Sequence, residues 1–333
     1  MSKFIELERQ RLNHYKVASP HLSEAARADG IYLGKPRSFC LPRAQAAENL
    51  YLGIREQAIE AFRASGIPWH SGRDGNPSNH LCSSQVCCVN FLYPFSSSPA
   101  ELLKLLAPLF PGIRTMLSME RGDYVVFEWI GAKDYLGERP KSKRTRGANS
   151  TSADAALMFE RADGRRQIVL IEWKYTESYA RHFRRYAPSG TDRGAIYAPV
   201  YQRDDCWLDK ALLPSYDALF YEPFYQFLRQ QLLAQEMEKA HELGADVVSL
   251  LHIAPACNTD FQRVTSPTLV DLGASVTEIW SRLVRVPERF ASVSVESLFN
   301  AYATKMASEM MPWWQYVCDR YAWLRADPET AAS

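Results

Sequence analysis

Asp154 and the triplet Glu172-Trp173-Lys174 are the residues whose types and spacing could do chemistry in this chain. Two carboxylates and an ammonium beside apolar runs are costly to bury unless they are paired or bind a metal. Carboxylates in such a position can hold a divalent cation, which neutralises charge on a phosphate and lowers the pKa of a bound water. Lys174 stands two residues from Glu172 and so points to the same face of a strand, where it could orient an attacking water or hold the phosphate. The plainer alternative is a buried structural ion pair of Lys174 with Asp154 or Glu172.

Two strands joined by a tight turn must position these groups. Asp154 begins the first, Glu172-Trp173-Lys174 ends the second, and Asp163-Gly164 between the apolar runs is a hairpin signal. Ile168 and Leu170 share the Glu172 face, while Val169, Ile171 and Trp173 take the other. A strand apolar on both faces is covered on both. Upstream, an apolar stripe at Leu50, Ile54, Ala58 and Phe62 predicts a helix over residues 43–65, ended by Gly66. Further helices are expected over 79–92 and 100–109, then a strand over 122–130 and a polar connection over 131–152. Downstream the pattern predicts helices at 204–213 and 216–243, a buried strand at 245–253, and helices at 276–284, 295–307 and 311–326. Residues 1–42 read as short helices and an irregular arm. The sum is an α/β unit whose last core strand returns parallel to a central one by a crossover.

Asp154, then Glu172-Trp173-Lys174 across a hairpin, then helix and strand, resembles the PD-(D/E)XK nuclease superfamily. The stretches GANSTSADAA, IEWKYTE and NHLCSSQVCCVNFL are similar to a bacterial restriction endonuclease family within it. The likeness covers residues 122–255, and the upstream helices extend it back to residue 43. It implies a restriction-endonuclease-like αβββαβ core with a mixed central sheet and additional N- and C-terminal helices. It also implies a Mg²⁺-dependent DNA endonuclease of restriction or defence type, with Mn²⁺ as a substitute metal. Asp154, Glu172 and Lys174 would be catalytic, and the metal would rest on Asp154, Glu172 and the backbone carbonyl of Trp173. Mg²⁺ suits this set, because it takes one or two carboxylates and keeps several waters. Ala153 stands where the namesake proline would be, a position that varies in the superfamily. Many members add an acid from an early helix; 79–92 has none, so Gln85 is the accessory candidate, with a hydrogen-bonded core amide as its alternative. Glu128, on the first strand, reads as structural.

The basic run Arg139, Lys141, Lys143, Arg144 and Arg146 directly precedes Asp154, and Arg181, Arg184 and Arg185 follow the hairpin. Lys143, Arg144, Arg146, Arg181, Arg184 and Arg185 are the expected phosphate-positioning set, which would fix DNA without reading bases. No helix-turn-helix, zinc finger, Walker loop or helicase motif accompanies them. Double-strand cutting generally uses two active sites, which a homodimer would supply. The restriction reading leaves open a partner methylase or other defence-system subunit, which the sequence does not identify. Alternative readings are a repair-type exonuclease or RNase of the same fold, or a catalytically vestigial DNA-binding module.

At 333 residues with 47% apolar content the chain can bury a large core, and its net charge of +1 confines any anion binding to a local patch. The expected division is an N-terminal helical region 1–121, a nuclease core 122–256 and a mainly helical extension 257–333, packed as one compact domain. No run of about 20 apolar residues predicts a membrane span, and the charged start MSKFIELERQRLNHYK predicts a cytoplasmic protein. Seven cysteines without a Cys-x-x-Cys pair argue against a disulfide framework. His80, Cys82, Cys87 and Cys88 could suggest zinc, but small buried cysteines of a helix explain them more simply.

Overall fold

The computed structural model describes residues 3–139 and 142–325. Lys141 of the basic run and the last residue of the helix expected over 311–326 lie outside them. The helices are α1 Lys3–Ala18, α2 Arg55–Ser65, α3 Ser84–Leu92, α4 Pro99–Leu106, α5 Arg193–Tyr201, α6 Phe224–Lys239, α7 Val276–Leu283, α8 Val295–Ala303 and α9 Met311–Arg320. The strands are β1 Gly30–Tyr32, β2 Lys35–Arg37, β3 Ile113–Leu117, β4 Val125–Trp129, β5 Ala153–Arg161, β6 Arg166–Trp173, β7 Val247–Ala254 and β8 Phe290–Ser294.

The β5–β6 hairpin is the centre of a six-stranded mixed sheet. Its turn carries Gly164 at φ +82, a conformation glycine adopts without steric cost. β5 and β6 pair antiparallel from Ala155 opposite Ile171 to Glu160 opposite Arg166. β4 pairs with the first half of β5 and β3 with the second, both antiparallel. β7 runs parallel to β6, and β8 parallel to β7. Parallel neighbours need a crossover, and the chain between β6 and β7 contains α5 and α6.

Alternation along the hairpin divides the core in two. Ala155, Leu157, Phe159, Val169, Ile171 and Trp173 join one cluster with residues of α1–α4, α8 and α9. Ala156, Met158, Ile168 and Leu170 join the other with α5, α6 and α7. Trp173, 1% exposed, packs its ring 5.3 Å from Phe91 and 6.4 Å from Phe299. A one-residue slip of β6 would exchange Trp173 for Glu172 and Lys174 in that apolar cluster, so the packing pins the register that presents the charged pair.

Several expected elements take other bounds. Residues 43–65 are not one helix: a 3₁₀ segment Arg43–Asn49 ends before an extended Leu50, and α2 begins at Arg55. The break is held from outside, because Tyr51 N donates to Asn90 Oδ1 and Arg320 donates to the Asn49 carbonyl. The helix expected over 79–92 starts only at Ser84, where Ser83 caps it. Pro223 separates a 3₁₀ turn Tyr216–Leu219 from α6, dividing the helix expected over 216–243. Residues 204–213 form turns, and the helix lies earlier at α5, capped by the Asp192 carboxylate accepting from Gly194 N. Four strands were not expected: β1 and β2 pair as a separate hairpin in the stretch 1–42, which also holds one 16-residue helix α1 in place of short helices, while β3 and β8 lie outside the 122–256 core and extend its sheet at both edges. Among the described residues no helix is long and apolar enough to cross a membrane. The seven cysteines are free thiols, six of them buried.

Candidate active site

Asp154 stands second in β5, and its Oδ2 accepts the Trp173 N–H at 2.7 Å, clasping the start of β5 to the end of β6. Glu172 and Lys174 then share a face, and the Lys174 ammonium lies 2.6 Å from Glu172 Oε1 and 3.9 Å from Asp154 Oδ2. Both side chains of the close pair are buried, at 4% and 8% exposure, whereas Asp154 retains 29%. Backbone fixes the lysine as well, because Lys174 N donates to the Ile253 carbonyl of β7 at 2.8 Å. From α6, Gln230 Nε2 donates to Glu172 Oε2 at 2.6 Å and to the Ser152 carbonyl at 2.7 Å.

A third carboxylate completes the cavity. Glu128 sits inside β4 at φ +50, rare for a non-glycine residue and associated with functional sites when the surroundings enforce it. The kink breaks the strand alternation: Phe127 packs in one core cluster and Trp129 in the other. The Glu128 side chain is held by Gln85 Nε2 at 2.9 Å and Ser152 Oγ at 3.0 Å, with His70 Nε2 at 3.7 Å. Gln85 in turn accepts the His70 backbone N–H at 2.8 Å. These groups line a cavity of about 280 Å³ together with Glu177, Gln226 and Arg229. A larger cavity of about 610 Å³ lies between the β1–β2 hairpin and residues 71–79 and holds none of the charged trio.

Four acids, Asp154, Glu172, Glu128 and Glu177, against Lys174 and Arg229 give this cavity excess negative charge. Burial, and then the neighbouring Glu172 carboxylate, push the Asp154 carboxyl well above its ordinary value, against the smaller pull of Lys174. Burial likewise raises Glu128, with Glu172 adding to it and His70 and the Gln85 and Ser152 hydrogen bonds opposing. For Lys174 burial works against the charge, but Glu172, then Tyr179 and Asp154, outweigh it and hold the ammonium protonated well above its usual range. A cation entering here would relieve carboxylates that the fold keeps short of countercharge.

The structure brings Asp154, Glu172, Lys174 and Gln85 into one cavity. It does not bring the expected phosphate-positioning set there. Arg144 donates to the carbonyls of Ile130 and Gly131, and Arg146 makes a two-pronged pair with Glu120 at 2.8 Å. Arg185 is held by Asp192 and Asp217, Arg184 lies 3.8 Å from Glu222, and Arg181 donates to the Thr265 carbonyl. Lys143 is exposed. Glu128, expected to be structural, lines the site instead, and Arg229 and Gln230 were not singled out at all. Gln226, Arg229 and Gln230 recur at helical spacing on one face of α6, the signal that could have found them.

The chain matches the family model described as "Restriction Endonuclease associating with ARP" over residues 9–322. It therefore belongs to that family, which is of restriction-endonuclease type, on a mixed sheet with flanking helices. Neither the curated proteins nor the solved structures give a match.

Proposed function

We propose that the chain is a metal-dependent DNA endonuclease of the PD-(D/E)XK type, hydrolysing phosphodiester bonds in a restriction or defence setting. The observation that carries this reading is the meeting of Asp154, Glu172 and Lys174 at the mouth of one hairpin, with excess carboxylate in the cavity. Among the described residues no three His, Cys, Asp or Glu side chains are grouped so as to hold a metal ion, which leaves the two carboxylates Asp154 and Glu172 with the Trp173 carbonyl. That donor set fits Mg²⁺, which rests on one or two carboxylates, keeps waters and takes phosphate oxygens. Asp154, Glu172 and the Trp173 carbonyl would hold it, with Mn²⁺ as a substitute. When bound, such an ion neutralises charge on the phosphate and acidifies a water ligand.

The chain's own residues do the rest. Gln230 fixes the Glu172 carboxylate, and the Trp173 amide fixes that of Asp154. Lys174 in the resting site supplies the countercharge beside Glu172, and on substrate entry its ammonium is placed to hold a phosphate oxygen or orient the attacking water. Gln85 keeps Glu128 in the cavity wall.

The 2.6 Å contact of Lys174 with Glu172 equally suits a silent ion pair, which is the vestigial reading. Incubation of supercoiled plasmid with Mg²⁺ separates the two. Wild type is expected to nick or linearise it, EDTA to stop the reaction, and Lys174→Ala to bind but not cut. Equal inertness of wild type and Lys174→Ala, with both binding DNA, would sink the catalytic reading. Linear duplex and RNA as parallel substrates distinguish an exonuclease or RNase.

A further inference from the structure

Arg229 lies on α6 between Gln226 and Gln230, on the face that lines the cavity. Its neighbours are occupied: Gln230 holds Glu172, and Gln226 Nε2 donates to Tyr179 Oη and Glu222 Oε2. Arg229 itself makes no hydrogen bond or ion pair among the described residues. Its Nε is sealed from solvent without a partner, and its guanidinium carbon sits 5.0 Å over the Tyr225 ring. A guanidinium carries five donors in a planar fork; here Nε is buried unpaired, which is costly, and the half-buried terminal nitrogens meet no acceptor among the described residues. Arg146 and Arg185, by contrast, are each held by several carboxylate oxygens. Burial disfavours its charge, and Tyr197, Tyr225, Glu138 and Glu222 outweigh that and keep it protonated. The cavity thus has acids on the strand side and a spare, pre-charged fork on the helix side. A fork of this geometry matches two oxygens of a phosphate.

We propose that Arg229 is a substrate-phosphate ligand, its guanidinium taking non-bridging oxygens of the DNA strand that enters beside Lys174. This rests on the nuclease reading for the identity of the anion. It also relocates phosphate recognition from the sequence-adjacent basic loops to the buried face of α6.

The test is metal-free binding of a fluorescein-labelled DNA duplex by anisotropy over a range of NaCl, with EDTA present. Arg229→Gln should weaken binding about 10- to 100-fold, as loss of a charge-assisted hydrogen bond does. It should also flatten the salt slope by about 0.9, the share of one phosphate contact. Arg229→Lys should recover part of both. Should Arg229→Gln unfold, wild type against Arg229→Lys on a duplex with one methylphosphonate at the cut position gives the same answer: the neutral linkage should erase the difference between the two proteins. Unchanged affinity and slope in Arg229→Gln, or full additivity of the lysine and methylphosphonate effects, overturns the proposal. Plasmid cleavage is read separately. An inert wild type with the Arg229 effect intact removes the nuclease reading alone, whereas an active wild type with no Arg229 effect removes this site alone.

Discussion

Replacing Lys174 by Met removes the one ammonium that faces the cavity acids and keeps most of its stem volume. At 2.6 Å, and with an effective dielectric of about 20, the attraction to Glu172 is about 6 kcal/mol before desolvation. The lysine's own desolvation offsets part of this. What remains is the cost of Glu172 buried with only Gln230 as a polar partner, beside Asp154 and Glu128. Breaking one side of a buried pair typically costs about 3–5 kcal/mol, and that is the loss expected for Lys174→Met in urea unfolding near neutral pH. Glu172→Gln should cost less, because the substituted amide still accepts from Gln230 and Lys174 can turn to Asp154, now 3.9 Å away. The double variant should then be more stable than the two single losses predict, with a coupling of about 3 kcal/mol.

Acidification supplies an independent check. Asp154 and Glu128 have folded pKa values raised above their unfolded ones, so each contributes stability that is full below the unfolded value and lost as pH rises through the folded one. Without Lys174 the downward pull on Asp154 disappears and its folded value climbs further. The deficit of Lys174→Met should therefore shrink as pH falls toward the ordinary carboxylate range. Lys174 itself, raised well above its usual value, keeps its contribution through neutral pH and loses it only in strong alkali. A Lys174→Met protein within about 1 kcal/mol of wild type at every pH, with coupling below about 0.5 kcal/mol, would show that the cavity acids need no cation. Neither the ion pair nor a bound metal would then be needed to balance the cavity acids.

Two further outcomes follow from the same geometry. The Mg²⁺ concentration that half-saturates cleavage should rise as pH falls through a range above ordinary carboxylate values, since metal-free Asp154 must ionise against burial and Glu172 to take the ion; a half-saturating concentration constant from about pH 5 to 8 would contradict it. Gly147→Ala should cost activity out of proportion to stability: at φ +63 its Cβ would stand 2.9 Å from the Glu128 Cδ and Oε2. The backbone strain is about 1–2 kcal/mol, read as a small drop in Tm, whereas displacement of Glu128 from Ser152 should lower cleavage roughly tenfold. In a Glu128→Ala background the same change should reduce cleavage no further.

The hairpin was legible because its information is local. Alternation, a turn dipeptide and charge at the strand ends all sit within some twenty residues, and the paired register from Ala155–Ile171 to Glu160–Arg166 follows from them. α7, α8 and β7 were equally readable, since each has its own apolar period and stop. What escaped was set by distant partners. The break after Asn49 depends on Asn90 and Arg320, which no local pattern links to it. β8 is short and polar on part of its surface, and becomes a strand because β7 offers a parallel edge from Leu250 to Ala254. The basic residues near the motif depend on distant partners too: proximity in sequence says nothing of Glu120 pairing with Arg146, or of Asp192 and Asp217 pairing with Arg185.

Glu128 and Arg229 show why a site is harder to read than its scaffold. In sequence Glu128 is one charge in a strand pattern, and a regular strand would place Trp129 in the cluster that holds Phe127. The positive φ reverses that, moving Trp129 to the other cluster and turning the carboxylate toward Gln85 and Ser152. Arg229 looks like an ordinary helical arginine until its partners are sought and none is found. In both cases a local preference is violated, by backbone strain in one and by an unpaired guanidinium in the other, and both violations face the same 280 Å³ cavity. Costs of a few kcal/mol each persist in a folded chain only where the surroundings enforce them. Under the proposed function, both are stability given up where a charged substrate would bind.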